Sequence, residues 1–190
     1  TRFTNAFVTT SICAASRASI ITGLYESKHN YTFGKPPIKK EYITASYPHM
    51  LKKSGYNTGF VGKLGIRLED KKNMLSEMFD YYKLSPRGAP YFEKMADGSR
   101  RHSSEIKGDQ AVEYINSLKA DKPFCLSLSF NAVHAVDGKK TPGNEGHFPY
   151  PKAVAHLYEN IEIPPPALSD PETYEKHPDF LKKSFNRDRY

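Results

Sequence analysis

Phe124-Cys125-Leu126-Ser127-Leu128-Ser129-Phe130-Asn131 sets an apolar side chain at every second position. Successive side chains of a strand leave on opposite faces, so this period predicts a β-strand, the clearest one in the chain. Before it, Asp121-Lys122-Pro123 ends a stretch from Glu105 to Leu118 in which Ala111, Ile115 and Leu118 recur at helical spacing beside Ile106 and Val112. Further upstream, Thr58 to Val61 predicts a short strand leading into Gly62-Lys63. Tyr47 to Ser54, with Pro48 near its start and Gly55 just past its end, follows the proline-first, glycine-last pattern of a helix. Ser16 to Ile21 predicts another short helix closed by Thr22-Gly23, and the β-branched and aromatic residues from Phe3 to Thr10 predict a strand. Strands alternating with helices predict an α/β fold, a three-layer α/β/α arrangement around a largely parallel central sheet, here as part of one domain. Residues 1–146 hold this α/β part. From His147 onward the chain is rich in proline, with Pro149, Pro151, Pro164-Pro165-Pro166, Pro171 and Pro178, and residues 147–190 read as an extended segment wrapping the domain.

A chain of 190 residues with 38% hydrophobic content is long enough to bury a core. Its net charge of +7 favours anionic partners. The basic residues, however, are scattered singly and in pairs such as Lys39-Lys40, Lys71-Lys72 and Arg100-Arg101, with no basic helix, zinc-ligand spacing or aromatic RNA-binding run, which argues against nucleic acid. Cys13 lies among small polar residues and Cys125 inside the alternating strand, so a disulfide framework is not expected. No window approaches the roughly 18 consecutive apolar residues of a membrane span, and Thr1-Arg2-Phe3-Thr4-Asn5 has no signal-peptide character. The chain opens directly into a strand-like stretch and closes on Asn186-Arg187-Asp188-Arg189-Tyr190, the appearance of an internal piece of a larger protein.

Three residues with chemical potential follow strand-like runs within a few positions: Cys13, Lys63 and His134. Ligands of parallel sheets gather beyond the carboxyl ends of the strands, so one sheet edge is expected to collect all three. Cys13 is expected between a strand and the first turn of a helix, where free backbone N–H groups favour an anion or a nucleophile. Arg17 follows four residues later, across one helical turn. The other histidines, His29, His49, His102, His156 and His177, have no ligand-like spacing and read as surface residues. His147 stands apart from them because it lies closer to the candidate site.

Cys13-Ala14-Ala15-Ser16-Arg17, followed by Thr22-Gly23, resembles the signature of the type I sulfatases, in which a cysteine is followed at the second position by Pro or Ala and then by Ser-Arg. Gly55-Tyr56-Asn57-Thr58 with Gly62-Lys63 resembles the family's second signature, and Ser129-Phe130-Asn131-Ala132-Val133-His134 is similar to its strand ending in Asn-x-Pro-His, with Val133 at the proline position. Phe148-Pro149-Tyr150-Pro151 and the stretch from Tyr158 to Pro164 also resemble the family, so the likeness runs over nearly the whole chain. The resemblance implies the alkaline phosphatase superfamily fold and hydrolysis of the S–O bond of an organic sulfate ester, with a carbohydrate as the expected alcohol. It implies that Cys13 is matured to formylglycine, that Arg17 holds the nucleophile's oxygens, that Lys63 contacts the sulfate, and that His134 donates to the bridging oxygen of the leaving alcohol. His147 would lie on the leaving-group side.

Partners implied are a sulfated small molecule or glycan and a formylglycine-generating or radical sulfatase-maturing enzyme. Ala15, in place of the commoner proline, resembles targets of the oxygen-independent radical system and suggests a bacterial source, with a periplasmic or secreted location by family resemblance. The family binds a divalent cation, usually Ca2+, through the formylglycine, an early Asp-Asp pair and a late Asp-Asn pair. Cys13 is the one metal ligand identifiable here, so the piece is expected to be inactive alone. The sequence departs from the family after Gly62-Lys63: Leu64-Gly65 stands where many members have Trp-His. Two alternatives remain open, a phosphonate or phosphate monoester hydrolase of the same superfamily and a noncatalytic sulfatase-like binding protein.

Overall fold

The computed structural model describes residues 2–136, 148–166 and 169–183. They fall into two compact units, 1–152 and 153–190. In the first, four helices come before any strand: α1 (Cys13–Thr22), α2 (Glu26–His29), α3 (Lys40–Thr44) and α4 (Tyr47–Lys53). Then follow β1 (Asn57–Gly62), α5 (Lys71–Met78), β2 (Tyr81–Leu84), the hairpin strands β3 (Phe92–Lys94) and β4 (Arg100–His102), α6 (Ser103–Ser117) and β5 (Phe124–Ser129).

The strands β2, β1 and β5 form a parallel sheet in that order, joined through α5 and α6. Neighbouring residues of β1 face opposite sides of it, and each side is covered by helix. Phe60 enters a core with Ala14, Ala18 and Ile21 of α1 and with Met74, Leu75 and Met78 of α5, and its ring lies 5.3 Å from that of Phe79. Burial of each such large apolar side chain contributes about 1.5–3 kcal/mol. On the other side, a Cβ at Gly59 would stand 2.6 Å from the Tyr114 ring, so the missing side chain is what lets α6 press onto the sheet. Tyr81, paired with Gly59 across the sheet, stacks on the same Tyr114 ring at 4.9 Å. Helices on both faces of a parallel sheet are the three-layer arrangement the alternation predicts.

The segment from Phe3 to Thr10 is not a strand. Its residues have the shape a pleated surface favours, but strand propensity is realised only against a ladder partner and a packed face. Phe3, Phe7 and Val8 are exposed, and the segment pairs with no strand among the described residues. Cys13 is consequently the first residue of α1 itself, entered from extended Ile12. The helix closes as expected, with Gly23 at φ +71° returning its N–H to the Ser19 carbonyl.

Three of the histidines read as surface residues are buried. His29 accepts a bond from the Tyr31 N–H at Nδ1 and meets the Ser19 hydroxyl at Nε2, 3.1 Å away. His102 caps α6: its Nδ1 accepts the Ser104 N–H while Glu105 reaches back to the His102 N–H, a capping box built on an imidazole. His49 is buried in α4. The His29 and His102 rings are enclosed because backbone and hydroxyl groups satisfy them, which spacing alone does not reveal, whereas neither ring nitrogen of His49 has a hydrogen-bond partner among the described residues.

In the second unit the proline-rich chain is not wholly extended. A 3-10 helix covers Lys152–Tyr158, and α7 (Pro171–Glu175) starts at a proline capped by Asp170, whose carboxylate accepts the Thr173 N–H at 2.8 Å. The Tyr174 hydroxyl donates to the Lys182 carbonyl of α8 (Asp179–Lys182) at 2.9 Å. No helix among the described residues is long and apolar enough to cross a membrane.

Candidate functional site

The carboxyl ends of β1 and β5 lie side by side, Gly62 opposite Ser129. Their approach is closer than any side chain allows: a Cβ on Gly62, which sits at φ +107°, would come 2.0 Å from the Ser129 carbonyl oxygen. That oxygen accepts the Lys63 N–H at 2.8 Å, which fixes Lys63 at the sheet edge. Lys63 is half-buried, and its ammonium makes no ion pair or hydrogen bond among the described residues.

Onto this edge α1 lowers Arg17. Its Nη1 donates to the Lys63 carbonyl at 2.7 Å and to the Ser129 hydroxyl, and Ser129 Oγ donates to the same carbonyl at 3.0 Å. Burial lowers the Arg17 guanidinium from its usual value, and the Cys13 sulfur acts in the opposite direction, which places the two side chains within electrostatic reach of each other. The guanidinium remains a cation at any physiological pH. Cys13 is exposed at the helix start, and no side chain caps that end, so the first-turn N–H groups have no side-chain partner from the cap residue. Cys13, Arg17 and Lys63 are thus brought to one place. It combines an exposed thiol, two cations and a helix N-terminus, with no carboxylate paired to either cation among the described residues.

His134 lies on the loop that leaves β5 at the same edge. Its N–H donates to the Asn131 carbonyl at 2.9 Å, and its Nδ1 lies 2.7 Å from the Ala135 carbonyl, a contact that requires the proton on Nδ1. The loop is held from below by buried Tyr91, whose hydroxyl donates to the His134 carbonyl and approaches that of Asn131 at 3.3 Å. The Ala132–Val133 peptide within it is cis. His147 lies outside the described residues. A cleft of roughly 500 Å³ beside β2, lined by Lys71, Lys72, Lys83 and Lys107, contains none of these residues.

The described residues do not by themselves fit a divalent cation. No group of three or more His, Cys, Asp or Glu side chains among them converges on one point, whereas calcium takes six to eight oxygen ligands, carboxylates prominent among them.

The sulfatase family model matches residues 1–174. The chain belongs to the sulfatase family. Among its relatives, an N-acetylglucosamine-6-O-sulfatase of Bacteroides thetaiotaomicron is 27% identical over 144 residues, 70% of this chain and 24% of the relative. Arylsulfatase K of Rattus norvegicus is 26% identical, over 86% of this chain and 31% of its own length. A solved structure, described as a complex with its substrate D-glucosamine-2-N,6-O-disulfate, superposes with a TM-score of 0.61 at 20% identity, covering 88% of this chain and 32% of that one. This sulfatase chain therefore spans about a quarter to a third of the length of these two curated relatives. Two of its site residues were not legible in the sequence. Ser129 reads there as one polar position of an alternating strand, and Tyr91 as an isolated aromatic residue; both act through backbone carbonyls far away in sequence.

Proposed function

We propose that this chain carries the nucleophile and part of the anion site of an enzyme that hydrolyses the S–O bond of an organic sulfate ester, with a carbohydrate as the alcohol. The observation that supports it is the gathering of Cys13, Arg17 and Lys63 at one sheet edge, with neither cation paired to a carboxylate among the described residues. Two half-buried cations without a carboxylate partner among the described residues, one of them in the first turns of a helix, suit a compact tetrahedral anion. The named substrates of the relatives, a 6-O-sulfated N-acetylglucosamine and a glucosamine disulfate, favour a sulfated glycan.

In this reading Cys13 is matured to formylglycine, whose hydrate supplies one oxygen to attack sulfur and a second whose deprotonation expels sulfate. Arg17 orients the nucleophile's oxygens through charge-assisted bonds, and Lys63 neutralises sulfate oxygens. His134, on the loop leaving β5, is the residue for proton exchange with the leaving alcohol. A divalent cation such as Ca2+ would be held largely by residues outside those described, with matured Cys13 as one ligand. Ala15 lies in the first turn of α1 and is fully buried, a position where proline is also compatible with a helix. Its consequence falls on the maturation enzyme, and the radical system of bacteria is the proposed partner.

The test is peptide mass across Thr9 to Arg17 in the full-length parent, with turnover of paired aryl sulfate and aryl phosphate substrates, with and without the radical maturase. The expected result is conversion of Cys13, preference for sulfate, and loss of turnover in Cys13→Ala. Full activity with an unmodified thiol, or in Cys13→Ala, refutes the nucleophile assignment; preference for phosphate moves the enzyme to the phosphatase branch.

A further inference from the structure

We infer that Ser129 is a positioning residue for Arg17, and that Gly65 is the open slot through which the Arg17 side chain reaches it. Three elements close a triangle at the sheet edge. Arg17 Nη1 from α1 donates to both the Lys63 carbonyl and the Ser129 hydroxyl, and the Ser129 hydroxyl donates its one proton to that same carbonyl. The polarity of Ser129 is therefore fully assigned: its hydrogen is committed to Lys63, and its lone pair faces the guanidinium. Removing the hydroxyl takes an acceptor from a partly desolvated cation and frees the Lys63 carbonyl from one of its two donors.

Gly65 is the other half of the device. It sits at φ +70°, and a Cβ built there would stand 2.6 Å from Arg17 Cδ and 3.2 Å from Arg17 Nε. These are the middle of the side chain, so relieving the clash carries the guanidinium off its two acceptors. In this chain Arg17 occupies the space a side chain at 65 would need. The histidine that many sulfatases place at this position is accordingly not simply missing: it is incompatible with the way Arg17 is held here, and restoring it should impair the site.

The inference rests on the sulfatase reading for its kinetic consequence, though not for its geometry. The experiment uses the full-length parent, matured at Cys13, as wild type and as Ser129→Ala, Ser129→Thr, Gly65→Ala and Gly65→His, with kcat and KM on an aryl sulfate and a crystal structure of each variant. Misplacing an orienting group by about 1 Å costs on the order of 100-fold. Ser129→Ala is expected to lower kcat by about that factor with KM changed about threefold or less. Ser129→Thr, which keeps the hydroxyl, should recover to within about threefold of wild type. A merely structural role for Ser129 would move the urea midpoint without this kcat-against-KM split. Gly65→Ala and Gly65→His should both lower kcat and show Arg17 displaced from the Lys63 carbonyl; they also keep the test open if Ser129→Ala does not fold. Unchanged kcat in Ser129→Ala, a kcat gain in Gly65→His, or Arg17 unmoved in the Gly65 variants overturns the inference. If wild type turns over no sulfate ester, the sulfatase reading fails, and the position of Arg17 in the variant structures still decides this one.

Discussion

Gly62→Ala should be among the most damaging single-methyl additions to this chain, and Gly23→Ala provides its control. Both glycines have positive φ, +107° and +71°. Around Gly23 a Cβ meets nothing within 4 Å, so alanine there bears only the conformational cost of the left-handed region, about 1 kcal/mol. At Gly62 the same methyl would lie 2.0 Å from the Ser129 carbonyl oxygen, a backbone atom that cannot rotate away. The strands must separate locally, which breaks the Lys63 N–H bond of 2.8 Å to that oxygen. Backbone strain of about 1–3 kcal/mol and a lost hydrogen bond of about 0.5–1.5 kcal/mol give a total of about 1.5–4.5 kcal/mol. After subtracting the cost at Gly23, a urea slope of about 3 kcal/mol/M makes the two midpoints in the full-length parent differ by about 0.2–1 M. Because Gly62 precedes Lys63, Gly62→Ala should also raise KM for an aryl sulfate where Gly23→Ala does not. A midpoint for Gly62→Ala equal to or above that of Gly23→Ala would refute the reasoning.

Burial holds the His29 imidazole below its usual value, with Glu26 acting in the opposite direction. The folded state then binds fewer protons than the unfolded state, so stability is intact above about pH 6.5 and falls as the pH drops through that value; urea midpoints from pH 7.5 to 5 should show the slope, and His29→Gln should flatten it. For Asp80, burial pushes the carboxyl up, but Lys52 and the two Thr58 bonds outweigh it and the net shift is downward. Its contribution is present above about pH 4 and lost below, so Asp80→Asn should weaken the acid dependence measured between pH 4 and 2. His102→Ala removes the cap of α6 and should destabilise by about 1–2 kcal/mol in thermal or urea unfolding, with His102→Asn recovering part of the loss because its carboxamide also caps.

Periodicity and punctuation alone determined much of this protein. The alternation from Phe124, the Pro48 and Gly55 boundaries of α4 and the Gly23 cap of α1 are local properties, written where the backbone must obey them. The same holds for the spacing of the residues in the sulfatase signatures, because Cys13 and Arg17 are one helical turn apart and Lys63 directly follows the strand end at Gly62. What only the tertiary structure decided are relations between distant residues. A strand at Phe3 to Thr10 needed a partner that its own sequence could not supply. Ser129 is an ordinary strand serine until β1 lies beside β5, and the burial of His29 and His102 depends on groups that folding brings to them. Gly65 reads as a lost histidine in the sequence. In the fold it is the space Arg17 fills, because a side chain's room is set by its neighbours in three dimensions and not by its position in the chain.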